Sequence, residues 1–280
     1  MSEILFNFGA QLLFTVGVVV ASGFLISLLR KVFVYFAGNG AYWVLLVTGV
    51  VGTPVHELSH ALMCLIFGHR IDSVTLYRPC GPGGSLGCVQ HSYNKKNLYH
   101  NIGHFFIGTA PILCGGLVIL LLMRILIPDV YFQVAPGLAG SLDMSEMSFG
   151  GVMSNYGGAL LHTIGVIFRL ENLSVLGWWV FIILAIMIAC HMELSVSDVR
   201  SGAVGFAIIS ALLFAVDLLL YLISPSAMVW ITERAGAFSL YQVGFISLAL
   251  IAMALMVLGA MAYRLVEHIV MKIKIRNGGN

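Results

Sequence analysis

Three titratable side chains stand close together in an otherwise apolar part of the chain. His56, Glu57 and His60 belong to the sequence TPVHELSHALM, residues 53–63. Residues four apart face the same way on an α-helix, so the two imidazoles could bind one zinc ion beside Glu57, which could polarise a zinc-bound water. The alternative is that these groups only form hydrogen bonds between packed helices. An ionisable group in a membrane helix is costly unless it faces a partner or a wet cavity, which favours the metal site.

A catalytic zinc site needs a third protein ligand and one open position. The first candidate is Asp198, which lies in the short polar junction 190–202. An Asp at this place is equally suited to be the N-cap of the following helix. His191 is the next candidate, either as a ligand or as a group that stabilises the oxyanion of the transition state. Glu193 and Asp217 are further candidates, although Asp217 is also explained by a hydrogen bond between helices.

The composition places this site in a membrane protein. The chain has 280 residues, of which 60% are hydrophobic and only 9% are charged, whereas a soluble domain carries about 25% charged residues. The net charge of +2 is too small to indicate nucleic-acid binding. We therefore predict an integral, multi-pass membrane protein, with the lipid bilayer as its surroundings and no nucleic-acid partner.

The predicted architecture follows from the apolar runs, because a spanning helix needs about 20 mostly apolar residues. The chain is predicted to be an all-α polytopic protein with about six transmembrane helices, forming one domain over 1–280 with a catalytic core over about 41–223. The predicted spans are 8–29, 41–67, 102–127, 174–192, 203–223 and 240–265. A short β-hairpin is predicted within 68–101, after the HExxH helix, because the runs SVTLY and GCVQHSY flank a PGG turn.

The basic residues predict an orientation in the membrane. Lys and Arg are enriched in short cytoplasmic loops, and here they cluster in the 68–101 loop and in the C-terminal tail. Both segments are therefore predicted to be cytoplasmic, together with the N-terminus and the 190–202 junction. The acidic 128–173 connection is then outside, and Arg30 falls on that same outer side.

The cysteines and the other paired histidines receive simpler interpretations. Three of the five cysteines lie in apolar runs and are interpreted as packing residues: Cys64, Cys114 and Cys190. Cys80 and Cys88 share one loop, where they are either a disulfide or free thiols. The odd total and the lack of a CxxC pair argue against a structural zinc site. His100 and His104 are also four apart, but no acid accompanies them.

These residues resemble those of the site-2 proteases, a family of zinc metalloproteases that cut substrates in or near the membrane. The resemblance is carried by HELSH within an apolar span, by the hairpin-like loop that follows it, and by IGTAPILCGG, residues 107–116, which is similar to the small-residue Gly-Pro motif of the family. The sequence also looks like a bacterial branch of metallopeptidases whose LSxxD motif is matched by LSVSD. The resemblance implies His56, His60 and Asp198 as zinc ligands and Glu57 as the base, and it implies a bacterial cytoplasmic membrane as the location.

The predicted activity is hydrolysis of peptide bonds in a membrane-embedded or membrane-proximal protein or peptide, with a Zn²⁺-activated water and Glu57 as base. A transmembrane helix hides its peptide bonds, so the substrate must unwind, and the hairpin could pair with its extended segment. The alternative is a non-catalytic membrane subunit that binds zinc or a helical partner. Glu57 disfavours it, because a purely structural site needs no base. A metal transporter would need polar groups spread over several spans.

Overall fold

The computed structural model describes residues 2–81, 84–140 and 149–277, and most of this part of the chain is helical. The described helices are α1 Ser2–Leu12, α2 Val18–Ala37, α3 Gly40–Ile66, α4 Leu98–Leu126, α5 Pro128–Gly140, α6 Phe149–Ile167, α7 Leu176–Ala189, α8 Val196–Ile223 and α9 Pro225–Asn277. A π-helical turn, Leu13–Gly17, joins α1 to α2, and a 3-10 turn, Leu170–Ser174, precedes α7. The predicted all-α class is therefore confirmed, apart from one small sheet.

Four helical segments are long and apolar enough to cross a membrane: Ser2–Ala37, Leu98–Leu126, Val196–Ile223 and Pro225–Lys274. They suggest a membrane protein, as the composition predicts, but the count of six spans is not confirmed. The polar helix α3 is not among the four. Helix α7 has 14 residues, and at 1.5 Å per residue it covers about 21 Å of a hydrocarbon core that is about 30 Å thick.

The predicted hairpin is present as a two-stranded antiparallel sheet. Strand β1 is Arg70–Thr75 and strand β2 is Cys88–Ser92. The Pro and the first Gly of the predicted turn, residues 82–83, lie outside the described residues. The two β-type runs therefore predicted that these segments pair, although residues 76–87 form a connection much longer than a tight turn.

The connection between the two strands returns along α3 towards the beginning of that helix. The hydroxyl of Tyr77 donates a hydrogen bond to the carbonyl oxygen of Leu46, at 2.8 Å, and the hydroxyl of Tyr42 donates to the carbonyl oxygen of Cys80, at 2.9 Å. The hairpin loop thus covers the half of α3 that precedes the HExxH motif.

Helix α4 lies at the centre of the fold, where it packs against α3, α7, α8 and α9. It begins at Asn97, whose side chain accepts hydrogen bonds from the first backbone N–H groups of the helix and acts as an N-cap. Small residues allow close packing of membrane helices. A Cβ on Gly205 of α8 would lie only 2.8 Å from the backbone oxygen of Asn101. The backbone of α8 at Gly205 therefore packs against the backbone of α4.

One part of the predicted orientation is wrong. Arg30, near the end of α2, forms an ion pair with Glu193 in the 190–202 junction. The charge rule placed Arg30 outside and this junction on the cytoplasmic side, so the two residues should have been separated by the membrane. A direct ion pair requires them to lie at the same depth, so the predicted separation of Arg30 from this junction is wrong.

Two other predictions are resolved by the packing. All five cysteines are free, so Cys80 and Cys88 form no disulfide. Asp217 is completely buried and accepts a hydrogen bond from Nε2 of Gln11, at 2.9 Å. The interpretation of Asp217 as a partner in a hydrogen bond between helices is confirmed.

Candidate metal and catalytic site

The structure brings His56, His60 and Asp198 together, although Asp198 is far from the other two in sequence. One ligating atom from each residue lies within 4.8 Å of the other two. Nε2 of His56 is 3.0 Å from Nε2 of His60, and the latter atom is 3.9 Å from Oδ1 of Asp198. Two imidazole nitrogens and one carboxylate oxygen are a donor set that suits zinc and leaves a fourth position open.

Hydrogen bonds to the backbone fix the tautomers of both histidines. Nδ1 of His60 lies 2.8 Å from the carbonyl oxygen of Ile107, and Nδ1 of His56 lies 2.5 Å from that of His191. A carbonyl oxygen can only accept, so each Nδ1 carries the proton and each Nε2 of the neutral ring carries a lone pair. Two facing lone pairs repel unless a cation lies between them. A ring N–H that donates to a carbonyl is also the usual arrangement of metal-binding histidines.

The two orienting carbonyls are free for identifiable reasons. Residue 111 is a proline without an N–H, so Ile107, four residues earlier in α4, has no partner for its carbonyl within the helix. His191 follows Cys190, the C-cap of α7, and its carbonyl belongs to the unpaired end of that helix. Pro111 of the Gly-Pro motif thus acts by releasing the carbonyl that orients His60. Sequence reasoning missed this role, although the position of the proline indicates it.

Asp198 uses its two oxygens differently. Oδ2 accepts a hydrogen bond from the backbone N–H of Ser195, at 3.1 Å, while the Ser195 hydroxyl accepts one from the backbone N–H of Asp198. This pair is a capping box at the start of α8. Oδ1 remains directed towards His60. The prediction that Asp198 is the N-cap of this helix is wrong, because Ser195 is the N-cap and Asp198 is the third helical residue of the capping box. The capping-box and ligand roles of Asp198 are compatible, because each needs only one oxygen.

Gly108 of α4 makes room for Asp198. A Cβ on Gly108 would lie 2.7 Å from the backbone oxygen of Asp198, which is too close for a real contact. The small residue in the Gly-Pro motif therefore determines how near the start of α8 can come to His60.

Substitution of Gly108 by Ala is expected to weaken zinc binding by about 10–100-fold, the range found when groups that position a ligand are removed. The added methyl group must push Asp198 away from the two histidines. Gly259→Ala is the matched control, because a Cβ there meets nothing within 4 Å. The measurement is competition for zinc with a coloured chelator. Equal zinc affinity of the two variants would contradict this account of Gly108.

Glu57 lies beside an open cavity of about 840 Å³. The cavity is also lined by His56, by His191 and by the hairpin residues 84–87. A Cβ on Gly87 would lie 2.7 Å from Cγ of Glu57, so the hairpin backbone forms the wall next to this carboxylate. The volume is within the usual range for ligand sites, about 300–1,000 Å³. The arrangement can therefore hold a substrate segment beside a potential base.

His191 contributes its backbone to the site and its ring to the packing behind it. Nε2 lies 3.0 Å from the hydroxyl of Thr48, and Nδ1 lies 3.5 Å from the hydroxyl of Thr53. The ring lines the cavity but is not one of the three clustered ligands. Its role at the oxyanion stays a prediction. Glu193 is likewise outside the cluster and pairs with Arg30.

No protein-family model, curated protein or solved structure matches this chain. The resemblance to the site-2 proteases therefore depends on the quoted motifs, and the function has to be argued from the geometry of the site.

Proposed function

We propose that the protein is an intramembrane zinc metalloendopeptidase, similar to the site-2 proteases, with about six spans in a bacterial cytoplasmic membrane. The observation that carries the proposal is the pair of Nε2 atoms of His56 and His60, held 3.0 Å apart by backbone hydrogen bonds on their Nδ1 atoms. Asp198 completes the donor set, and Glu57 lines the adjoining cavity. In this proposal α3 and α7 are the two further membrane helices, and α7, with 14 residues, ends within the membrane at the depth of Arg30 rather than on the opposite side.

Each residue of the site has a separate role in the proposed reaction. Zinc held by His56, His60 and Asp198 would polarise the scissile carbonyl and lower the pKa of water. Glu57 accepts a proton from the attacking water and returns it to the leaving amine. His191 stabilises the oxyanion by a hydrogen bond from the cavity wall.

The substrate is a membrane-embedded or membrane-proximal protein or peptide that presents an extended segment. A helix in the bilayer satisfies its own backbone groups, so its peptide bonds are exposed only after it unwinds. The hairpin residues 84–87 lie along the cavity beside Glu57. Two of them, Gly84 and Gly87, have no side chain to block a close backbone approach, as pairing with an extended strand requires.

Removal of the metal tests this proposal. The purified protein is reconstituted into liposomes with extracted membrane proteins, and new peptide N-termini are identified by mass spectrometry. Cleavage is expected to disappear after treatment with 1,10-phenanthroline and to return when zinc is added back. The non-chelating 1,7-phenanthroline is the control and should have no effect.

Two results would contradict the proposal. New N-termini that persist in the metal-free protein would exclude a zinc peptidase. A zinc-loaded protein that produces no new N-termini with any membrane fraction would favour the non-catalytic subunit instead.

A further inference from the structure

We propose that a second zinc ion binds Cys64, His69, His91 and His104, where the end of α3, the hairpin and the start of α4 meet. The thiol sulfur of Cys64 and one ring nitrogen from each of His69 and His91 lie within 4.8 Å of one another. None of these side chains takes part in the proposed hydrolysis. Four protein ligands that combine thiolate and imidazole are typical of a structural zinc site, so this inference does not depend on the proposed function.

The end of α3 holds two of the ligands together. Gly68 has a φ of +70°, a conformation that glycine adopts readily. The backbone N–H of His69 then bonds to the carbonyl of Cys64, at 2.8 Å, and that of Gly68 bonds to the carbonyl of Leu65, at 3.2 Å. These two bonds define a Schellman motif. A sequence of Cys, four residues and His around this turn therefore places the thiol and the imidazole side by side.

His69 is oriented as a metal ligand. Its Nε2 lies 2.9 Å from the carbonyl oxygen of His100, which can only accept a hydrogen bond. The proton is therefore on Nε2, and Nδ1 presents a lone pair to the cluster.

His104 provides independent support. Its ring is only 6% exposed, and neither ring nitrogen has a hydrogen-bond partner in the described part of the chain. Buried polar groups are almost always paired. The ring centroid of His104 is 5.0 Å from that of His69 and 6.0 Å from that of His91. Imidazoles bound to one tetrahedral zinc have centroids roughly 5 Å apart. The ligand atoms that already lie within 4.8 Å of one another belong to Cys64, His69 and His91, so the ring of His104 must turn towards them to become the fourth ligand.

A pair of hydrogen-bonded histidines is the competing explanation. Nδ1 of His91 lies 3.0 Å from Nδ1 of His69, so a proton on the former could bond to the latter. This pairing leaves both nitrogens of His104 without partners and gives no role to the buried thiol of Cys64. Zinc accounts for all four groups, and two nitrogen ligands of one zinc are also roughly 3.3 Å apart.

The second zinc would fix the hairpin in place. His91 is on β2, only four residues after Gly87, which forms the cavity wall beside Glu57. The other three ligands are on or next to α3 and α4. A metal bond from β2 to these helices would therefore hold the wall of the cavity against the helix that carries the HExxH motif.

Cobalt substitution of the full-length protein distinguishes the two sites. A thiolate bound to Co²⁺ gives a charge-transfer band in the near ultraviolet, and only the second site contains a cysteine. The wild type is expected to bind two Co²⁺ ions and to show the band. The double variant His56→Ala/His60→Ala should bind one ion and keep the band, whereas Cys64→Ser should bind one ion and lose it. Cys88→Ser, at an exposed position on the same hairpin, should behave like the wild type.

His104→Ala is expected to weaken metal binding at the second site at least roughly 100-fold, beyond the usual effect of a group that only orients a ligand. The competing explanation predicts no change. A cobalt-loaded double variant without the band, or a band that survives in Cys64→Ser, would overturn the proposal. The double variant leaves all four ligands intact, so the test stands even if Cys64→Ser does not fold.

The same experiment separates this inference from the proposed function. One ion in the wild type that keeps its band in the double variant would support the second site and contradict the hydrolytic one. A single ion in the wild type that gives no band and is lost in the double variant would support the hydrolytic site and contradict the second site.

Discussion

Replacement of Glu57 by Gln is expected to abolish peptide-bond cleavage and to leave the zinc content unchanged. Gln has nearly the same shape as Glu but cannot take a proton from the attacking water, and a general base contributes about 10²–10⁴-fold to the rate. The three clustered ligands do not include Glu57, so the metal should stay bound. The measurement combines new N-termini in membrane proteins with the zinc content per chain, determined by mass spectrometry.

Glu171→Gln is the matched control, because it makes the same chemical change at an exposed residue of the turn before α7. It should cleave at the wild-type rate. Wild-type cleavage by Glu57→Gln would exclude Glu57 as the base. Loss of both zinc and cleavage in Glu57→Gln would mean that Glu57 is a zinc ligand, and the proposed donor set would have to change.

The pairing of His56 with His60 was predictable because it depends only on the helical period. Any helix over this stretch places residues four apart on one face. The hairpin was predictable for a similar reason, since two short β-type runs flank a Pro-Gly-Gly sequence. Its return along α3 was not, because hydrogen bonds such as Tyr42 to Cys80 join residues whose proximity has no local pattern.

The contribution of Asp198 could be proposed but not placed from the sequence. Its distance from His60 depends on how closely α8 approaches α4, and Gly108 sets that approach. The choice between N-cap and ligand was also open, since an Asp before a helix suits both. Only the coordinates give the direction of each carboxylate oxygen.

The count of spans was the least predictable part, because hydropathy and function conflict in α3. The residues of the proposed catalytic site are polar, and they lower the mean hydropathy by which a span is identified. The metal-ligand role proposed for Cys64 was also not predictable from the sequence. Cys64 was interpreted as a packing residue because the proposed partners His91 and His104 come from β2 and α4, which no spacing rule connects to it.

Asp198→Ala is expected to remove zinc from the hydrolytic site and with it all cleavage. The variant loses the oxygen that faces His60, and two histidines alone leave the site one ligand short of the usual three. The expected loss of affinity exceeds the roughly 10–100-fold effect of groups that only orient a ligand. Zinc competition with a chelator gives the affinity, and the thiolate band of the cobalt protein checks that the second site is unaffected.

Ser195→Ala separates the ligand role of Asp198 from its cap role. It removes the hydroxyl partner of the capping box but leaves Oδ1 of Asp198 in place. The variant should lose about 1 kcal/mol of stability, the usual cost of an N-cap, and still bind zinc. Asp198→Asn should show the opposite pattern, because its side-chain oxygen can still accept the hydrogen bond from the backbone N–H of Ser195 but no longer carries a charge for the metal. If Ser195→Ala loses zinc as completely as Asp198→Ala, zinc binding depends on the capping box that holds Asp198, and the two roles of Asp198 are not separable.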